Sequence, residues 1–344
     1  MKKLFSLVLA AALCLSLAAC GTESKSTAAP ESTAPESAAP SAETKEESKK
    51  VFKVGICQLV QHDALDAATK GFRDALTEAL GDSVEFDEQN GQGESATCST
   101  ILTGFVANGY DLIMANATPA LQAAVSATTT IPIVGTSVTD YAKALEMDFD
   151  AAKGTGINVT GSSDGVPGER YVEVLLELVP DAKKVSILFC SAEANSVLQA
   201  EEFTAAMKEA APDVTCTNFT FADSNDIQMV VTAAIEGCDA LYIPTDNQAA
   251  SNATIIQNVC AAAKTPVIAG EENMCAKCGL ATVSISYYDI GFECGKQAVE
   301  ILQNGKDPGT IPIAYAKSAE KKFNADFAET IGFSVPDGYK KIGE

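Results

Sequence analysis

The sequence has 344 residues, with 24 lysines and arginines against 46 aspartates and glutamates, a formal charge of −22 and a single histidine. A surface this acidic repels a phosphate backbone, which speaks against nucleic acid as a partner, and it repels anionic lipid head groups. It places no restriction on a small ligand, whose recognition is local.

In chain order, Lys2 and Lys3 precede an apolar run over 4–19 that ends at Cys20-Gly21. At 16 residues the run is shorter than a membrane-spanning helix needs, and with its basic start and small residues before the cleavage point it reads as a secretory signal. Leu17-Ala18-Ala19-Cys20 resembles the lipobox of bacterial lipoproteins. That resemblance implies cleavage before Cys20, lipid on its sulfur, and a mature chain held at the outer face of the cytoplasmic membrane. After Cys20-Gly21, the rest of 20–50 is only Ser, Thr, Ala, Pro, Glu and Lys with no aromatic side chain, which is a solvated tether stiffened by Pro30, Pro35 and Pro40. The folded part starts near Val51, and what remains is enough for one large or two medium α/β domains.

Within it, strands and helices alternate. The spacing predicts strands over 52–59, 84–87, 112–115 and 131–134, with helices over 64–80, 95–108 and 119–127. The rhythm restarts with an extended piece at 156–160. Helices follow over 167–178, 197–210, 224–235, 249–263 and 288–303, and strands over 185–189, 214–219, 240–243, 266–269 and 280–285. Repeated β-α units imply parallel sheets covered on both faces, and two successive halves imply two lobes.

Ligands of open α/β sheets sit beyond the carboxyl ends of the strands. Those ends carry Gln58, Gln61-His62, Asn116-Ala117-Thr118 and Gly135-Thr136-Ser137 in the first half, and Ser191 to Ser196, Thr245-Asp246-Asn247 and Gly270-Glu271 in the second. Hydroxyls and helix N-termini in the first half suit a carboxylate. Asp246 and Glu271 in the second suit an ammonium, so the split fits a zwitterion. Thr118, Asp164, Asp246 and Asn247 are also residue types that cap helices or build turns, and that reading stands beside the first.

Eleven cysteines include Cys14 in the signal and Cys20, leaving nine, an odd number that cannot all pair. Cys57, Cys190, Cys216 and Cys260 fall in apolar stretches and read as small buried hydrophobes. Cys275-Ala-Lys-Cys278 is a lone CxxC without a second pair, so no metal site is expected; a local disulfide or unpaired loop cysteines fit better. No cofactor is expected. An enzyme would need a nucleophile–base pair or a metal cluster, and one histidine with no HExxH or GxSxG leaves little to build it from.

The segments Val54-Gly-Ile-Cys-Gln58, Gln61-His62-Asp-Ala-Leu-Asp66, Asn90-Gly-Gln-Gly93, Ala117-Thr118-Pro119-Ala120, Asn158-Val-Thr-Gly161 and Pro244-Thr-Asp-Asn247 run in order through the folded part. Together they resemble the substrate-binding lipoproteins of bacterial ABC transporters, in particular the tryptophan/tyrosine type. The resemblance implies an α/β type I periplasmic-binding-protein clamshell: two doubly wound, Rossmann-like lobes joined by a multi-strand hinge. It puts residues 51–162 with 284–312 in the N-terminal lobe and 163–283 with 313–344 in the C-terminal lobe.

It further implies capture of an amino acid, aromatic or branched, by a monomer that delivers it to ABC permease subunits. On that reading Thr118 and Thr136, with the backbone N–H groups of Ala117, Thr118, Thr136 and Ser137, hold the carboxylate. Asp246 and Glu271 hold the ammonium, Asn195 and Asn247 add hydrogen bonds, Ser163 and Asp164 lie near the hinge, and Gln61 and His62 face the ligand side chain or the cleft rim. The paired Tyr287 and Tyr288 read as hinge and helix face. A sugar or nucleoside receptor of the same fold is the alternative, weakened by the absence of tryptophan and by arginine only at 73 and 170. A ligand-presenting partner of a sensor kinase would look the same.

Overall fold

The computed structural model describes residues 50–344; the signal over 1–19, the Cys20 lipid site and the tether up to 49 lie outside the described residues. Strands β1 (Phe52–Gln58), β2 (Val84–Asn90), β3 (Leu112–Asn116), β4 (Ile133–Val138) and β5 (Val159–Ser163) form a parallel sheet in the order β5-β4-β3-β1-β2. β3, β4 and β5 are buried along their whole length; β3 accordingly reads as a continuous apolar run, whereas β4 and β5 bury glycine, serine and threonine as well. One face of this sheet packs on the helices Ser95–Ala107 and Thr118–Ala127, the other on Asp63–Leu80 and Tyr287–Asn304.

The last two helices meet through glycine. A Cβ at Gly71 would stand 2.1 Å from the Tyr288 carbonyl oxygen, and one at Gly291 2.0 Å from that of Ala68. No larger residue permits this approach, and the approach is what docks the late helix onto the first lobe.

Strands β6 (Lys184–Cys190), β7 (Thr215–Phe221), β8 (Ala240–Ile243), β9 (Val267–Ala269) and β10 (Ala281–Ser284) form the second sheet in the order β10-β9-β8-β6-β7. The tail divides. β11 (Ala314–Tyr315) pairs with β5 in the first sheet, whereas β12 (Glu320–Phe323) runs antiparallel to β10 and β13 (Lys340–Lys341) pairs with β12 in the second. The chain therefore passes between the lobes three times, at 164–167, 285–286 and 316–319.

Several elements depart from the sequence reading. β4 continues through Gly135, Thr136 and Ser137 with an irregular register against β5 between Gly135 and Val138. The helix over 249–263 is two, Asn247–Ser251 and Ala253–Ala263, broken at Asn252. Asn195 and Ser196 belong to the first turn of the helix Ala194–Ala210 instead of a loop. Cys275 and Cys278 lie not in a loop but on a short helix, Glu272–Cys278, capped by Glu271, and both are buried and unpaired. Cys216 is only half-buried, at the edge strand β7.

Candidate functional site

The carboxyl ends of both sheets face each other across a tightly closed cleft whose remaining cavity is about 10 Å³, room for about one water, lined by His62, Leu65, Ser137, Thr139, Asp164, Asn195, Thr245, Asp246, Asn247, Ala250, Glu271 and Tyr287. Three contacts bridge the lobes over it. His62 Nε2 lies 3.1 Å from Asn247 Oδ1, Gln248 Nε2 donates to the Gly93 carbonyl at 3.0 Å, and Lys277 pairs with Asp63 at 2.7 Å. The lobes are closed on one another.

The backbone is strained at two predicted site residues, of which Ser137 lines the cleft and Ala117, like Thr118 after it, does not. Ala117, which follows β3, has φ 92° and ψ 155°, and Ser137 in β4 has φ 55°, both in regions that side-chain-bearing residues avoid. Such conformations cost roughly 1–3 kcal/mol each and persist only where the surroundings dictate them. Ala117 is held by its N–H donating to the Thr136 carbonyl at 3.0 Å, and it starts the helix Thr118–Ala127 with no side-chain cap. Thr118 is the first helical residue, not the cap, and its hydroxyl is buried without a partner. This helix N-terminus keeps its positive end for an anion. Ser137 Oγ, Asn195 Oδ1 and His62 Nδ1 are likewise buried and unpartnered.

Three carboxylates line the cleft and none of the lining residues is a lysine or arginine. Asp246 and Glu271 also cap helices. Asp246 accepts from Ala249 N at 2.8 Å and from Cys190 N at 2.6 Å, and Glu271 accepts from the Asn273 and Met274 N–H groups. Asp164 does not cap the following helix; it accepts from Tyr287 OH at 2.7 Å and Thr139 Oγ1 at 3.1 Å. Since both of its partners are rotatable hydroxyls, Asp164 retains the most room to accept a further donor.

Burial is the leading cause that raises all three: Asp164 and Asp246 sit above the ordinary carboxylate range, and Glu271 is pushed up to about 7 against the pull of its backbone N–H partners. Glu193, behind the cleft wall, is pushed up to about 8 by burial and by the charge of Asp246. Burial also holds His62 below its usual value, hence neutral.

These shifts fix the sign of a pH dependence. An acid whose folded value exceeds its unfolded value binds more protons when folded, so stability falls as pH rises between the two. The window runs from the unfolded glutamate value of 4.5 to about 7 for Glu271 and about 8 for Glu193. His62, buried uncharged, works the other way below its unfolded value of 6.5, but one such group against two raised acids leaves the ligand-free protein expected to be more stable at pH 5 than at pH 8, by an amount on the order of a few kcal/mol. Urea unfolding at both pH values checks this; equal or rising stability would mean the acids are compensated.

Of the remaining sequence candidates, Thr136 is fully buried with its hydroxyl 3.0 Å from Ser162 Oγ, inside the first sheet and away from the cleft. Ser163 bonds the Thr139 carbonyl and Gly165 N, each at 3.0 Å, and shapes the first crossing. Gln61 is exposed in a separate depression with Lys70 and Arg73. Sequence reasoning missed Leu65, Thr139 and Ala250 in the cleft; it had Thr245, and Glu193 behind the cleft wall, on the right loops without a role, and it read Tyr287 as hinge and helix face. Tyr287 had a usable signal: it is the first helical residue after the carboxyl end of β10.

Two parallel-sheet lobes joined by three crossings over a polar cleft define a solute-binding protein of type I periplasmic architecture. The family model for ABC transporter substrate binding proteins matches residues 53–341, and the chain belongs to that family. A tyrosine-binding protein of Clostridioides difficile (strain R20291) is 34% identical over 330 residues, spanning 94% of this chain and 91% of that one.

An ABC domain from Streptococcus pneumonia in complex with L-Trp superposes with a TM-score of 0.80 at 32% identity, covering 85% of this chain and 99% of that one. A ligand-free, open substrate binding protein with adhesive properties from Clostridium difficile, at the same identity and coverage, gives 0.63. The better match to the L-Trp-bound relative agrees with the closed lobes seen here.

Proposed function

We propose that the protein is the extracytoplasmic receptor of an ABC importer. Lipid on Cys20 anchors it to the outer face of the cytoplasmic membrane; it captures a free amino acid, aromatic before branched, between its lobes and presents it to the permease. The observation that carries the reading is the cleft itself. Three buried carboxylates lie in it with no lysine or arginine, matched to an ammonium; the uncapped helix N-terminus at Thr118, with its unpartnered hydroxyl, suits a carboxylate but is not among the residues lining the closed cleft. The relatives that bind tyrosine and L-Trp support the aromatic choice.

Nothing in the cleft provides a nucleophile with an adjacent base, and binding by lobe closure requires no bond to be made or broken. Thermal-shift screening against the amino acids, sugars and nucleosides tests the proposal. An aromatic amino acid at 100 times its dissociation constant is expected to add about 2.7 kcal/mol of stability. A transition moved only by a sugar or a nucleoside would replace the amino-acid reading.

A further inference from the structure

A chain of polar contacts crosses the cleft and ends on a bare imidazole nitrogen. Glu193, buried where the helix Ala194–Ala210 begins, accepts from Asn247 N at 3.2 Å, Gln248 N at 3.0 Å, Asn195 Nδ2 at 3.2 Å and Asn247 Nδ2 at 2.5 Å. Two of these donors are backbone N–H groups, which cannot reverse their role, and three of the four N–H donors converge on Oε2, which leaves Oε1 to carry the proton when the acid is neutral and keeps Oε2 an acceptor. The Nδ2 bond orients the Asn247 amide so that its Oδ1, an acceptor only, faces His62 Nε2 at 3.1 Å. Nε2 must then be the donor. A neutral imidazole carries one N–H, so Nδ1 has none and presents a lone pair. That atom is buried, lacks a partner, and belongs to a side chain lining the cleft.

We infer that Glu193 and Asn247 hold His62 as the Nε2–H tautomer, and that His62 Nδ1 accepts a hydrogen bond from an O–H or N–H at the side-chain end of the amino-acid ligand. The inference rests on the amino-acid reading and narrows it. The ligand's ammonium goes to Asp164, Asp246 and Glu271, which attract a cation far more strongly than a neutral nitrogen does. Leu65, one turn along from His62, and Ala250, one turn along from Asn247, supply apolar surface for a ring.

The favoured substrates are therefore aromatic amino acids whose ring carries a hydroxyl or an N–H. Phenylalanine lacks that donor and would leave Nδ1 buried and unpaired, which is the kind of mismatch a site rejects strongly. Glu193 and Asn247 act as positioning residues, through His62.

His62 is the chain's single histidine, so the full chain labelled with 15N-histidine and purified without a histidine tag gives two ring nitrogens and no overlap. Long-range proton–nitrogen correlation is expected to show a proton on Nε2 and none on Nδ1. Saturating L-tyrosine or L-tryptophan moves the Nδ1 resonance upfield while Nε2 keeps its proton. Calorimetry finds L-phenylalanine weaker by at least about tenfold, and His62→Phe removes that preference. Glu193→Gln yields a mixture of tautomers and loses affinity for L-tyrosine but not for L-phenylalanine.

A proton on Nδ1, or tight binding of L-tyrosine and L-tryptophan with the Nδ1 resonance unmoved, overturns the inference and spares the amino-acid reading. No binding heat with any amino acid overturns both.

Discussion

Asp164→Asn is expected to weaken amino-acid binding by about 2–5 kcal/mol, roughly 30- to 4000-fold, with little change in the unfolding temperature of the ligand-free protein. Asparagine keeps the shape and can still receive the Tyr287 hydroxyl, so the local packing survives. What it removes is the charge. Asp164 is buried at the first crossing, no cationic side chain lines the cleft, and its present partners are neutral hydroxyls. An ammonium placed there meets a carboxylate in a low-dielectric site, the setting in which removing one partner costs most.

Isothermal calorimetry with L-tyrosine and L-tryptophan reads the loss. An unchanged affinity would move the ammonium to Asp246 or Glu271. Those two are harder to interrogate, because truncating either also uncaps a helix and costs about 0.5–2 kcal/mol of stability on its own.

The second large effect is on folding. Gly291→Ala places a methyl group 2.0 Å from the Ala68 carbonyl oxygen, a contact with backbone that cannot swing aside. The helices Asp63–Leu80 and Tyr287–Asn304 must separate to admit it, and both anchor one face of the first sheet. The expected cost is about 3 kcal/mol, at the upper end for overpacking, seen as a lowered midpoint in urea and in thermal unfolding. A variant as stable as the parent would show that the two helices have slack between them. Tyr287 starts the late helix and bonds Asp164, so a surviving Gly291→Ala protein is also expected to bind ligand more weakly.

How far the sequence discloses this molecule follows from what each signal encodes. β3 and the helix Asp63–Leu80 are legible because burial imposes a continuous apolar run on one and a stripe on the other. The helix Glu272–Cys278 and the strands at 314–315 and 340–341 span too few residues for any period to register. At the cleft, residue type narrows the candidates without assigning roles. Asp246 and Glu271 are both caps and cleft carboxylates, and the two roles ask for the same side chain.

Thr136 looked like Ser137 in sequence. The register irregularity of β4 separates them, turning the Thr136 hydroxyl inward to Ser162 and leaving Ser137 at the cleft. Glu193 lay within the loop Ser191 to Ser196 but had no legible role, because that role depends on Asn247, 54 residues away in sequence.

The threefold passage of the chain between the lobes, at 164–167, 285–286 and 316–319, governs how the molecule can move. Three crossings tie the halves together more tightly than one would and favour hinge-type opening over free swivelling. Any opening that admits or releases a solute has to break His62–Asn247, Gln248–Gly93 and Lys277–Asp63, the contacts that bridge the lobes across the cleft.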